Sequence, residues 1–422
     1  MPTDTQVKTL GPCLVDSPLD SVAFIDEGDG LLVDPTLSAC RRCQGEPPAL
    51  EMAGPRQRVF FSPQDVRAAL VTCGGLCPGM NDVIRALVMV LWHRYGVRHI
   101  RGLRYGFEGL IPRYGHVPLE LTPDVVADIH QHGGTMLGTS RGPQDPAEMA
   151  DFLAAEDINV FFPIGGDGTL RGALRLAQEI ERRGRSISVV GIPKTIDNDI
   201  SFTERTFGFE TAVANSATPI ACAHMEAKAV QNGIGLVKLM GRDAGFVAAY
   251  ATLASSDVNL LLIPEAPFSL PKVMAYLEAR VARKSHAVIV VAEGAGQELM
   301  TTTGVDASGN RKLGDIGLLL KAEITRHFEN RGIPISVKYI DPSYTIRSAP
   351  ANSDDSVFCF QLAENAVHAA MAGRTAMLVS LWNGRFAHVP VELAVRTRKN
   401  VDVSGLLWQS VLDNTGQPRG LA

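Results

Sequence analysis

A chain of 422 residues, 45% of them apolar, has the material for a large core and for two or three domains. Its formal net charge of −5 offers no electrostatic footprint for nucleic acid or for an anionic membrane surface, so any phosphate must be met by locally focused groups. No apolar run reaches membrane-spanning length, the first twenty residues lack the charged-then-apolar pattern of a secretion signal, and the seven cysteines are scattered and odd in number; a cytoplasmic protein without a disulfide framework is expected.

Residues 1–55 carry Pro, Gly and Asp among short apolar runs and read as an irregular extension that packs on the main body or covers a partner chain. Within it, Cys40-Arg41-Arg42-Cys43 has knuckle spacing, but no second pair follows, and an ordinary surface turn is the expectation. Beyond Val59 the pattern becomes regular. Apolar runs of strand length occupy 68–72, 160–164, 188–192, 235–240, 259–263, 287–292, 335–340 and 376–381. Helix-period segments lie between them at 81–94, 147–155, 169–182, 210–225, 244–254, 272–283, 317–330 and 354–371. Such alternation predicts parallel βαβ units with both sheet faces covered, most economically as two α/β sheets with a cleft between them.

Three loops carry chemistry. Cys-Gly-Gly-Leu-Cys-Pro-Gly-Met-Asn at 73–81 follows the first regular strand and opens a helix, where bare glycine backbone and a helix amino terminus favour an anion; a plain strand-to-helix turn would read the same way. Gly-Gly-Asp-Gly-Thr at 165–169 repeats that context. Asp167 makes sense there if Mg²⁺ stands between it and a polyphosphate, and as a helix cap otherwise. The third loop, 192–200, reads Ile-Pro-Lys-Thr-Ile-Asp-Asn-Asp-Ile and leaves a buried-strand pattern. If extended, it points Asp197 and Asp199 the same way, one for Mg²⁺ and one for a proton. Two acids in a polar loop are equally the mark of solvated caps.

Taken together, these loops resemble the 6-phosphofructokinase family. Six motifs in the family's order carry the resemblance: Gly-Gly-Leu-Cys-Pro-Gly-Met-Asn at 74–81, Gly-Gly-Asp-Gly-Thr at 165–169, Pro-Lys-Thr-Ile-Asp-Asn-Asp at 193–199, Lys-Leu-Met-Gly-Arg at 238–242, Ala-Glu-Gly-Ala-Gly-Gln at 292–297 and Tyr-Ile-Asp-Pro-Ser-Tyr-Thr-Ile-Arg at 339–347. The branch is the one built on the pyrophosphate-dependent plan, and within it the chain is most similar to the ATP-using members. The resemblance implies the phosphofructokinase fold, two Rossmann-like three-layer sandwich domains: an extension over 1–55, a donor-binding domain over 56–208 and 348–390, and a sugar-phosphate domain over 209–347 and 391–422. It also implies a homodimer or homotetramer acting on fructose 6-phosphate and ATP with Mg²⁺, in glycolysis.

Residue by residue, the resemblance makes Asp197 the base for the sugar's 1-hydroxyl. Thr195, Arg242 and Arg141 stand with it in catalysis, and Thr195 and Ile196 line the sugar site. Met240, Gly241 and Arg242 match sugar-phosphate binders, Glu293 the acceptor of sugar hydroxyls, and Tyr344, Thr345, Ile346 and Arg347 the segment that grips the 6-phosphate. Gly74, Arg141, Gly166, Asp167, Gly168, Thr169 and Lys194 fall to the donor, and Asp167 and Asp199 to the metal. Arginine forks suit phosphate, and a phosphoryl group in flight needs positive charge more than covalent help. Arg242 and Arg347 read equally well as surface arginines when taken singly, and no role is expected of Lys228 or Lys238.

Two positions bear on the donor. Lys194 matches pyrophosphate users, while Gly168 matches ATP users, because an aspartate there would fill the place of the nucleotide's α-phosphate and repel it. A carboxylate excludes ATP and a lysine does not, so ATP is expected, with pyrophosphate as the alternative. Asn232-Gly233-Ile234-Gly235 stands where bacterial ATP-type enzymes carry an arginine reaching into the neighbouring subunit, so their trans-subunit grip and allosteric machinery do not carry over. The competing readings are a lipid or NAD kinase sharing only Gly-Gly-Asp-Gly-Thr, and a non-catalytic sensor of sugar phosphate or nucleotide on the same scaffold.

Overall fold

The alternation of apolar runs with amphipathic segments is realised, in chain order, as β1 (Arg67–Thr72), α1 (Met80–His93), β2 (Val160–Gly165), α2 (Asp167–Arg182), β3 (Ser188–Pro193), α3 (Phe209–Lys228), β4 (Gly233–Leu239), β5 (His286–Ala292), α4 (Ile316–Asn330), β6 (Ser336–Ile340), α5 (Ser343–Arg347), α6 (Ser353–Met371), β7 (Met377–Trp382) and β8 (Arg385–Pro390). The structure is a computed structural model that describes residues 5–20, 22–301, 304–305 and 312–421. Two compact units divide the chain: Met1–Thr195 with Ile200–Gly208 and Ala349–Arg398, and Ile196–Asp199 with Phe209–Ser348 and Lys399–Ala422. The four residues Ile196–Asp199 thus belong to the second unit although the chain on both sides belongs to the first. Residues 391–398 fall in the first unit, not with the carboxyl-terminal tail as expected.

The first unit is built on nine strands in the order Gly30–Leu32, Ala49–Met52, β8, β7, β3, β2, β1, His99–Gly102, Leu119–Glu120. Five neighbours in this order, β7, β3, β2, β1 and His99–Gly102, run parallel. Every residue of β2 and β3 is buried, as central strands with both faces covered require. Their register sets Ile192 opposite Ile164 and Pro193 opposite Gly165, and the Lys194 amide adds one more bond to the Gly165 carbonyl at 2.9 Å. The glycine turn after β2 is thereby fixed beside the Pro-Lys-Thr turn after β3. Val71, Phe161, Leu176, Ile180 and Val189 pack the core between this sheet and α2.

Two features of this sheet depart from expectation. Residues 1–55 are not merely an extension, since Gly30–Leu32 and Ala49–Met52 complete the sheet edge. There Glu51, with 20% of its side chain exposed, accepts from Arg56 Nη2 at 3.0 Å and Arg374 Nε at 2.9 Å. The second departure is β8, which turns back antiparallel on β7 through Asn383 and Gly384, at φ 46° and 72°. Asn-Gly is the residue pair that a tight hairpin demands. Cys40 and Cys43, expected in a turn, flank the end of a short helix, Leu37–Arg42, as free thiols.

In the second unit four parallel strands run in the order Leu260–Leu262, β5, β4, β6. Leu236, Leu277, Ile289, Leu320 and Phe328 fill one face. On the other, α3 comes so close to β4 that a Cβ on Gly233 or Gly235 would lie 2.2 or 2.5 Å from the carbonyl oxygens of Ala227 and Ala223. The glycines in Asn232-Gly233-Ile234-Gly235 therefore answer to helix packing.

Candidate active site

The expected site residues divide between the units, each set lying past the carboxyl ends of parallel strands, where open α/β sheets place their ligands. In the first unit the turn after β1 has Gly74 at φ 84°, held by its amide to the Ser140 carbonyl at 3.0 Å and by its carbonyl to Thr139 Oγ1 at 2.7 Å. Buried Lys194 donates to the Gly75 carbonyl at 2.8 Å, and a Cβ built on Gly75 would stand 3.3 Å from Arg141 Nη2. Two cations therefore converge on one bare glycine turn, an arrangement fitted to phosphate oxygens.

The turn after β2 is equally constrained. A Cβ on Gly165 would sit 2.2 Å from Thr169 Oγ1, so that glycine is required by packing. A Cβ on Gly168 would meet nothing within 4 Å. Asp167 is the first residue of α2, behind Gly166 as cap, so its amide and those of Gly168 and Thr169 belong to the unpaired first turn that attracts anions. Its carboxylate accepts from Arg171 Nε at 2.9 Å, while Arg171 also donates to the Val395 carbonyl. Sequence reasoning passed over Arg171. Its signal was the four-residue spacing from Asp167 along one helix face.

In the second unit, three loops meet past β4, β5 and β6. The Glu293 amide donates to the Leu239 carbonyl at 2.9 Å and the Gly294 amide to the Gly241 carbonyl at 3.0 Å. A Cβ on Gly294 would lie 1.8 Å from the Arg242 carbonyl oxygen, and Gly241 itself adopts φ 129°. The clipped main chain directs the Arg242 amide at Asp197, whose Oδ2 accepts it at 3.2 Å. Arg347, ending α5, stands 3.6 Å from the Glu293 carboxylate. Burial pushes the Asp197 carboxyl up to about 7, helped by the charges of Asp199 and Glu293, while the Arg242 amide and Arg347 pull the other way.

Asp197 and Asp199 do not sit on an extended strand. Asn198 between them takes the left-handed conformation at φ 56°, open to asparagine because its short polar side chain tolerates that region, and the segment bends. The two acids remain within electrostatic reach of each other all the same. Met240 and Ile346 are 0% and 2% exposed, whereas Tyr344 is 83% exposed. Thr345 Oγ1 is turned back onto the Pro342 carbonyl at 2.8 Å, and Thr195 offers its carbonyl to Thr206 Oγ1 at 2.6 Å.

Among the described residues no three His, Cys, Asp or Glu side chains gather to hold a metal. Asp167 in the first unit and Asp199 in the second each offer a carboxylate oxygen, the hard ligand type that magnesium takes alongside phosphate and water.

The phosphofructokinase family model matches residues 67–370, most of the chain and all of the loops described above. The chain belongs to the phosphofructokinase family. Phosphofructokinases similar to it include a protein of Borreliella burgdorferi named ATP-dependent 6-phosphofructokinase, 47% identical over 98% of this chain and 97% of its own length. A protein of the same name from Amycolatopsis methanolica is 48% identical, covering 98% and 95%. Among solved phosphofructokinase structures, the pyrophosphate-dependent enzyme of Marinobacter aquaeolei superposes with a TM-score of 0.70 at 19% identity, over 83% of this chain and 91% of that one. Pichia pastoris phosphofructokinase gives 0.65 at 22%, over 85% and 40%. At those identities the likeness is one of phosphofructokinase fold. No helix among the described residues is long and apolar enough to cross a membrane.

Proposed function

We propose that the chain is an ATP-dependent 6-phosphofructokinase, transferring the γ-phosphoryl of ATP to the 1-hydroxyl of fructose 6-phosphate to give fructose 1,6-bisphosphate and ADP in glycolysis. The observation that carries this reading is Asp197, a carboxyl raised to about 7 and oriented by the Arg242 amide. An acid tuned near neutrality is what a general base for an alcohol requires. The names of relatives 47% and 48% identical over 98% of the chain support the same reaction.

On this reading Asp197 receives the proton of the sugar's C1 hydroxyl, whose oxygen then attacks the γ-phosphorus, and ADP leaves. Arg347 and Tyr344, with Thr345 and Ile346, bind the 6-phosphate. Glu293 accepts hydrogen bonds from sugar hydroxyls, and Met240 and Gly241 line the ring with Ile196 and Arg242. The first unit is the donor domain: the Gly74 turn and the amides at Gly166, Asp167, Gly168 and Thr169 take phosphate oxygens, and Arg141 and Lys194 hold the phosphoryl through transfer, with Thr195 beside them. Asp167 and Asp199 would hold the magnesium that accompanies ATP, which would supply neutralising charge on the polyphosphate. The second unit is the sugar-phosphate domain, and its catalytic residues Ile196–Asp199 continue directly from Lys194 and Thr195 of the donor domain.

ATP is favoured over pyrophosphate by the open space at Gly168, which the protein's own packing does not require to be glycine. Coupled assays on fructose 6-phosphate, run once with ATP and once with pyrophosphate, test this, and turnover with ATP is expected. Turnover with pyrophosphate alone would reverse the donor. Binding without turnover would make the chain a sensor. We further propose a cytoplasmic homodimer or homotetramer, to be read from the mass in solution.

A further inference from the structure

A lysine occupies the last but one position of β4, a strand otherwise wholly buried. Burial disfavours its ammonium, yet the hydrogen bonds it donates to two carboxylates outweigh that penalty and hold it firmly charged. Lys238 Nζ lies 2.9 Å from Asp315 Oδ2 and 2.9 Å from Asp341 Oδ2, with 12% of its side chain exposed. Asp315 is the cap of one helix, and Asp341 lies two residues before the first residue of another. Asp315 caps α4, accepting the amides of Gly317 and Leu318 at 3.0 and 3.1 Å, and also accepts from the Tyr339 hydroxyl at 3.0 Å. Asp341 Oδ1 accepts the Ser343 amide at 3.1 Å and hydroxyl at 2.5 Å, at the start of α5.

These contacts close a circuit. From Lys238 it runs through Asp341 to the first residue of α5, along that single turn to Arg347, across 3.6 Å to Glu293, and from the Glu293 amide back to the Leu239 carbonyl beside Lys238. The helix α5 has five residues, too few to hold itself in water. Its placement must come from what grips its ends.

We propose that Lys238 is a positioning residue that anchors the Arg347-bearing turn to β4 and so sets the affinity for the sugar phosphate. It touches no reacting atom. This rests on the assignment of Arg347 and Glu293 to fructose 6-phosphate, and the tests below separate the two claims.

Asp341→Asn keeps an oxygen for the Ser343 bonds but turns a donor toward the ammonium, breaking only the tether. Lys238→Met removes the hub, and Lys238→Arg restores a cation. In the first two variants KM for fructose 6-phosphate should rise by about 10-fold or more, with kcat and KM for ATP changing less than about threefold, and the arginine variant should recover most of the loss. Amide exchange over 343–348 should quicken while β5 keeps its protection. The tether is refuted by unchanged KM and unchanged exchange at 343–348, or by a uniform loss of kcat, both affinities and protection throughout the unit. Should the wild-type chain fail to phosphorylate fructose 6-phosphate, the functional reading falls, and exchange over 343–348 still decides whether Lys238 holds the turn.

Discussion

The Arg242 amide donates to Oδ2 of Asp197 at 3.2 Å, from a loop whose shape is set by two glycines that tolerate no side chain. The contact orients the carboxylate without neutralising it, as a base needs. Asp197→Ser is expected to lower kcat by about 10²–10⁴-fold, the range for losing a general base, with little change in KM for ATP. Turnover near the wild-type rate in that variant would remove Asp197 from the mechanism.

The same carboxyl predicts a pH profile. Because burial and the charges of Asp199 and Glu293 raise Asp197 to about 7, the base is lost to protonation as pH falls through that value, and kcat/KM for fructose 6-phosphate should decline on the acid side of it. Glu293→Gln removes one raising charge and should move this limb to lower pH, apart from its effect on sugar affinity. Stability follows the opposite course. An acid whose folded pKa is raised from 3.8 contributes nothing below about 4 and destabilises increasingly up to about 7. Asp197→Asn should therefore raise the unfolding midpoint at pH 8 and leave it unmoved at pH 4.

Gly168 separates donor choice from folding. Its missing side chain faces open space and its φ is not left-handed, so Gly168→Asp should leave the melting temperature unchanged. A carboxylate about 5 Å from a phosphate oxygen costs ~3 kcal/mol at an effective dielectric near 20, or about two orders of magnitude in ATP affinity. Kinetics with ATP and with pyrophosphate on this variant check it. Full retention of ATP use would show that position 168 does not set the donor.

Most of this was legible in the sequence because parallel strands buried on both faces and amphipathic helices each leave a strong pattern, as the runs at β2, β3 and α2 show. The site loops were legible through their glycines, whose spacing reflects close approach of main chain. What escaped was of two kinds. Ala49–Met52 is a four-residue strand of Ala, Leu, Glu and Met, whose place in the sheet comes from a partner far along the chain and not from local propensity. Lys238 and Arg171 look like solvated cations until the fold sets Asp315 and Asp341 around the one and Asp167 beside the other. The bend at Asn198 carried a local hint, since asparagine is among the few residues at ease in the left-handed region. Asn383-Gly384 carried a stronger one, the hairpin pair itself.

The sheet edge made by the amino-terminal residues depends on Glu51. Burial works against its charge, but its neighbours His388 and Arg374 hold it down to about 2. Burial also keeps the His388 imidazole below its ordinary value, so at neutral pH the guanidiniums of Arg374 and Arg56, both nearly inaccessible, carry the pairing. An acid with a depressed folded pKa stabilises above its unfolded value of about 4.5 and loses that contribution as pH falls through about 2. Glu51→Gln leaves two buried cations short of a partner and should cost ~3 kcal/mol at pH 7. Because the wild type forfeits the same interaction on acidification, the gap between the two proteins should narrow to ~1 kcal/mol by pH 3. Urea unfolding of both at the two pH values measures it. A gap independent of pH would mean that Glu51 acts through its shape and not its charge.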